Sequence, residues 1–215
     1  MITQQDQLDL FRLISSSLSE DVECYAFGGT AMMFYGYKEE TKDVDLLFKS
    51  LPGRDSFIRA ITQLGYSQTS PFQIYIPEKL KSKHTPLMFK RDDSRFDLFT
   101  GKIFQTLLSP KMKEDLFALH QFKTTHTLTI KVLRTEFIVM LKAVTERDKD
   151  FEDIFNIVKK DKNFDWNYFI DEVLWQTEQG DGWVLLDAEK MMKELKQYVF
   201  IEEKWFKKLY SMKKK

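Results

Sequence analysis

The chain has 215 residues, and its 33 Lys plus Arg balance 33 Asp plus Glu, which excludes a globally basic nucleic-acid coat but not a local basic patch. With 43% hydrophobic and 31% charged residues it has the composition of a folded domain with a core, not of a disordered chain. Cys24 is the single cysteine, so an internal disulfide and a cysteine zinc cage are excluded and a reduced, cytoplasmic setting is expected.

The N-terminus, MITQQDQLDLFRL, lacks the basic start and apolar run of a secretory signal. Leu8, Phe11, Ile14 and Leu18 instead recur at helical spacing, which predicts a helix over residues ~3–18. Residues 22–27 form a strand candidate that stops at Gly28-Gly29, and a short helix over residues 30–35 is closed by Gly36. The charge-free stretch 24–37 holds three glycines and is too short for the ~18–20 apolar residues of a membrane span, so no membrane segment is expected. A second strand is predicted over residues ~42–49. Pro52-Gly53 reads as a break, and Phe57, Ile58, Ile61 and Leu64 then mark a helix ended by Gly65. Three further strands are expected over residues 72–76, 87–90 and 95–100, with Asp92-Asp93-Ser94 as the turn between the last two, and more extended chain over ~115–132. From Arg134 onward the apolar residues recur at helical spacing, and Gly180-Asp181-Gly182 is the clearest interruption. The expected architecture is therefore α/β (α+β): a mixed sheet flanked by helices in residues 1–132, followed by an all-helical domain in residues 133–215.

Three local features line up. In Phe27-Gly28-Gly29-Thr30-Ala31 a strand ends, two glycines follow and a helix begins. Glycines allow close approach of backbone to a ligand, the free N–H groups of a helix start suit a phosphate, and Thr30 adds a hydroxyl. In Thr41-Lys42-Asp43-Val44-Asp45-Leu46-Leu47, strand alternation puts Asp43 and Asp45 on one face and Val44 and Leu46 on the other. Arg95-Phe96-Asp97-Leu98-Phe99 supplies one more carboxylate among apolar residues. Paired acids beside a core repel each other and need a compensating charge. Oxygen-only ligands suit magnesium or manganese, which bind through one or two carboxylates plus substrate phosphates.

The order Gly-Gly-Thr, Asp-x-Asp and a single strand Asp resembles the nucleotidyltransferase superfamily that includes DNA polymerase beta. The flavour of FGGTA followed by TKDVDL is similar to the minimal AbiEii-type nucleotidyltransferase toxins. So is the run from Lys142 through Arg147, Lys149 and Asp150 to Asp153. The resemblance covers residues ~22–160. It implies an N-terminal nucleotidyltransferase domain that moves an NMP from an NTP, ATP for example, to an acceptor hydroxyl with release of pyrophosphate. It implies Asp43, Asp45 and Asp97 as catalytic metal ligands for Mg2+ or Mn2+, Gly28, Gly29 and Thr30 as the triphosphate cradle, and Lys142 as a further triphosphate contact. It also implies a toxin-like role on tRNA or protein with an antitoxin partner. A small-molecule acceptor, as in aminoglycoside nucleotidyltransferases, and a catalytically silent nucleotide-binding module are the alternatives. The chain departs from the family's pattern at Lys38-Glu39-Glu40, where an Arg is common.

Each residue also has a plainer reading. Lys142 fits a lysine whose stem covers a half-buried helix face. Arg147, Lys149, Asp150 and Asp153 fit ordinary helix ion pairs. His84, His120 and His126 show no ligand spacing and read as structural or surface residues. Trp166, Tyr168, Phe169, Trp175 and Trp183 read as core. Nine lysines against three glutamates in residues 190–215 read as a solvated helix face and tail, with attraction to a nucleic-acid backbone as the alternative.

Overall fold

The computed structural model describes residues 1–71, 84–145 and 148–211. The chain folds as two compact units, Met1–Leu133 and Arg134–Lys215. The strand expected over residues 72–76, Arg147 and the terminal lysines lie outside the described residues.

In the first unit, β1 (Ile2–Thr3) leads into the helix Gln4–Ser17, where Thr3 and Asp6 close a reciprocal capping box. Phe11 and Ile14 of that helix are fully buried. Next come β2 (Val22–Ala26), the short helix Gly28–Phe34, β3 (Glu40–Thr41) and β4 (Asp43–Phe48). The helix Leu51–Gln63 follows. Pro52 and Gly53 lie in its first turn and do not break the chain as expected, because a proline there forfeits an N–H that has no helical partner anyway. Then come β5 (Ser67–Thr69), β6 (Leu87–Arg91), β7 (Ser94–Thr100), β8 (Lys102–Ile103), β9 (Thr106–Leu107), the helix Pro110–Glu114, β10 (Leu116–Lys123) and β11 (Thr127–Leu133). Asp92, in the turn between β6 and β7, has φ +50, a conformation that Asp tolerates better than most side chains.

The main sheet is mixed and runs β10-β11-β2-β4-β7-β6-β5, with β8 and β9 attached at the end of β7. At its centre β2 and β4 are antiparallel, while β4 and β7 are parallel. A parallel pair needs a crossover, and the helix Leu51–Gln63 lies in that connection. It packs on one face of the sheet through Phe57, whose ring lies 5.3 Å from Phe48 and 5.5 Å from Phe96. Phe48 and Phe96 belong to the strand positions that alternate with the acids, so this helix covers the face of β4 and β7 opposite the carboxylates, while Leu47 and Phe99 are buried on the carboxylates' own face.

The second unit is helical: Thr135–Thr145, Asp148–Lys160, Trp166–Glu178, Val184–Leu195 and Glu203–Leu209. Phe169 is fully buried, but Trp183 is 57% exposed, so not all of that aromatic set is core. The Gly180–Gly182 interruption is a turn in which Asp181 accepts hydrogen bonds from the N–H groups of Trp183 and Val184, starting the next helix. Among the described residues, no helix is long and apolar enough to cross a membrane.

Candidate active site

The parallel pairing of β4 with β7 sets Asp43 opposite Arg95 and Asp45 opposite Asp97. Paired residues of neighbouring strands point to the same side, and positions two apart on a strand share a face. Four charged side chains, three acidic and one basic, therefore occupy one patch of the sheet. Asp97 is fully buried and Asp45 nearly so. Asp43 and Arg95 retain some exposure, with side chains 23% and 16% accessible.

Arg95 joins the acids. Its Nε donates to Asp97 Oδ1 at 2.7 Å and its Nη2 to Asp97 Oδ2 at 3.1 Å, a two-pronged contact. The same Nη2 lies 2.7 Å from Asp43 Oδ2. Asp45 Oδ2 accepts from the Gly29 N–H at 3.2 Å. The Asp45 N–H donates to Thr30 Oγ1 at 2.8 Å, so Thr30 fixes the backbone of the residue whose side chain the glycines meet. Sequence reasoning passed over Arg95. The signal was present: the two-residue alternation that pairs Asp43 with Asp45 also puts Arg95 beside Asp97.

The Gly28-Gly29 turn is close-packed against these acids. Gly28 has φ +55, and a Cβ there would sit 2.3 Å from Asp45 Oδ2. A Cβ on Gly29 would sit 2.7 Å from Thr41 Oγ1. Both glycines are thus required by what the protein itself places against them, which is a nearer reason than approach to a ligand.

Among the described residues, no group of three or more His, Cys, Asp or Glu is disposed as it stands to hold a metal ion. Asp43 and Asp97 converge on Arg95, and Asp45 is directed to the glycine turn. The donor chemistry nevertheless fits a hard divalent cation, because all three side chains are carboxylates and their combined negative charge exceeds that of the one arginine.

Lys142 belongs to the second unit. It is buried, and its Nζ donates to Asp150 Oδ1 at 3.0 Å and to Asp153 Oδ2 at 2.7 Å. The Thr145 hydroxyl completes the cluster by donating to Asp150 Oδ2 at 2.6 Å. Elsewhere, Cys24 is fully buried and burial pushes its thiol far above the ordinary range, so no thiolate nucleophile is offered there. His120 is partly buried, its ring stacked 4.4 Å from Phe34, and burial lowers its pKa.

No protein-family model matches the sequence. No curated protein matches it. Among solved structures, the chain is similar to the solution structure of the antibiotic-resistance factor ANT(2'')-Ia, at 10% identity over 73% of this chain and 84% of that one, with a TM-score of 0.43. The crystal structure of ANT(2'')-Ia in complex with adenylyl-2''-tobramycin matches at 12% identity over 89% of this chain and 99% of that one, with a TM-score of 0.38. A crystal structure of an H. pylori protein assigned to the nucleotidyltransferases matches at 16% identity over 98% and 93%, with a TM-score of 0.43. Likeness of this degree does not place the chain in a family.

Proposed function

We propose that this protein is a metal-dependent nucleotidyltransferase that moves an NMP from an NTP to an acceptor hydroxyl and releases pyrophosphate. The reading is carried by one observation: three carboxylates from two adjacent parallel strands share one face of the sheet, with Asp45 against a two-glycine turn. In this reading Asp43, Asp45 and Asp97 hold Mg2+ or Mn2+. Such ions, when bound, make a hydroxyl a better nucleophile at neutral pH and neutralise charge on a leaving pyrophosphate. The protein's own part is positioning and electrostatics. Burial strengthens the carboxylate field at Asp45 and Asp97 because little water screens it. Asp97 is the carboxylate assigned to take the acceptor's proton. Gly28, Gly29 and Thr30 line the assigned triphosphate position. Thr30 holds the Asp45 backbone in register there.

Lys142 is given a different part from the one that its motif implies. Its ammonium already serves two carboxylates. A triphosphate contact would first have to break both pairs, so we assign Lys142 to bracing the helical unit.

The test is pyrophosphate release from each Mg-NTP, with wild type and with Asp43→Ala plus Asp45→Ala. Three acceptor arms are run: total tRNA, the protein itself and a small aminoglycoside. Label transfer in one arm, lost in the double variant, supports the reading and names the acceptor; transfer to tRNA or protein would justify a search for an antitoxin partner. Nucleotide retained without transfer in any arm would make this a binding module. Equal nucleotide binding by wild type and double variant, with no pyrophosphate from either, would sink the proposal.

A further inference from the structure

Among the described residues, a side chain supplies positive charge to the acid patch. Arg95 engages both oxygens of the fully buried Asp97 and one oxygen of Asp43. A divalent ion needs carboxylate oxygens at ~2.0–2.1 Å. It cannot take Asp97 and Asp43 oxygens at that distance while the guanidinium stays on the same oxygens, because two positive groups would then lie within a few ångströms in a poorly screened site.

We infer that Arg95 is a built-in counter-cation that holds the place of the divalent ion, and that metal binding and the Arg95–Asp43/Asp97 pairing exclude one another. This rests on the metal-site reading above. It assigns a competitor for the site, and so a specificity device: only an ion that repays the loss of the guanidinium contacts enters. A monovalent ion brings half the charge of Mg2+ and gains less from the same carboxylates. Arg95 also places a positive charge on the buried Asp97 before the ion arrives, which lowers the cost of a carboxylate in a protein interior. The geometry suits exchange over permanent pairing. Asp43 and Arg95 keep some solvent exposure, so the guanidinium can swing outward without unfolding the strand.

Mn2+ binding and thermal unfolding of wild type, Arg95→Met and Asp45→Asn test this without reference to turnover. The expected result for Arg95→Met is a lower melting point than wild type without metal, Mn2+ affinity about tenfold or more tighter, and a larger rise in melting point on adding Mn2+. Wild-type Mn2+ binding that is weakened by Asp45→Asn but left within twofold by Arg95→Met would overturn the competition while leaving the metal site standing. No Mn2+ binding by either wild type or Arg95→Met would overturn both. Should Arg95→Met fail to fold, wild type alone decides. The Arg95 Nε–H resonance is followed by NMR during Mg2+ titration. Its loss or large displacement as the site fills supports exclusion. An unmoved Nε–H signal at saturating Mg2+ refutes it.

Discussion

Each unit of this protein holds one basic side chain between two acids, and the two clusters are built for different ends. In the sheet, Arg95 joins Asp43 and Asp97, with Asp45 directly opposite Asp97 as a third acid. In the helical unit, Lys142 joins Asp150 and Asp153, and the Thr145 hydroxyl donates to Asp150. The Lys142, Asp150 and Asp153 side chains are 4%, 3% and 13% exposed, whereas Asp43 at 23% leaves the sheet cluster a wider way in from solvent. A cluster whose cation is buried resists its exchange. A cluster with surplus carboxylate and an opening invites it.

The sharpest way to separate the two is to neutralise an acid in each. Asp45→Asn should cost nucleotidyl transfer at least about a thousandfold, the scale on which charge stabilisation at a reacting centre operates. Its melting point should stay near the wild-type value, because the amide keeps a carbonyl oxygen for the Gly29 N–H. Activity and calorimetry on the same preparation check this. A large loss of stability with retained activity would mean that Asp45 is only a structural partner of the glycine turn. Asp153→Asn should leave transfer unchanged.

Next in size is Lys142→Met. It removes the ammonium from the buried Asp150 carboxylate and should destabilise the protein by about 3–5 kcal/mol, read from urea unfolding. Mg2+ should not recover the loss. Recovery by Mg2+ would show that the helical cluster also exchanges its cation, and the contrast between the two units would fall. A raised KM for NTP with unchanged stability would return Lys142 to the triphosphate role that its motif implies.

Much of the sheet site was legible because strand alternation is a strict rule. Asp43 and Asp45 on one face, with Val44 and Leu46 on the other, follow from sequence alone. The Asp45–Asp97 register was not legible. It depends on a parallel pairing across a crossover, and no local pattern encodes which residue meets which. Arg95 was missed although alternation could have found it, because a basic residue near an acid looks like ordinary surface charge until the acid proves to be buried. Pro52-Gly53 was misread as a break because proline opens helices as readily as it ends them. Lys142 was expected on a half-buried face, but the whole helix Thr135–Thr145 is buried, and the two acids that pair its ammonium lie in the next helix and emerge only from packing. Trp183 shows the limit of reading burial from residue type: an aromatic in a turn before a helix can simply point outward.

A smaller effect is expected at the glycine turn. Gly28→Ala imposes a left-handed φ on an L-residue and drives a methyl into Asp45 Oδ2, so it should cost about 2 kcal/mol. Activity should fall with it, since the side chain that must give way is one of the three acids. Gly53→Ala is the control. Its Cβ would meet only Ser50 Oγ, at 3.9 Å, within a helix, so it should be neutral or stabilise by about 0.5–1 kcal/mol. Equal effects at the two positions would show that helix propensity, and not the packing of Asp45, explains the glycine pair.

The smallest expected effect is a dependence of stability on pH away from both clusters. His120 lies on β10, stacked on Phe34, in a groove also lined by Arg12 and Lys123. Burial lowers its pKa in the folded state. The unfolded chain then takes up the proton first, near the ordinary histidine value of ~6.5. Below that pH the unfolded state binds more protons than the folded state, so stability falls as the pH drops from ~6.5 toward the lowered folded value. Unfolding curves for wild type and His120→Gln at pH 7.5 and at pH 5.5 isolate the contribution, because carboxylate titration is common to both proteins. Wild type should lose more stability than the variant over that interval. An identical loss in both proteins would mean that His120 titrates as freely in the fold as in the unfolded chain.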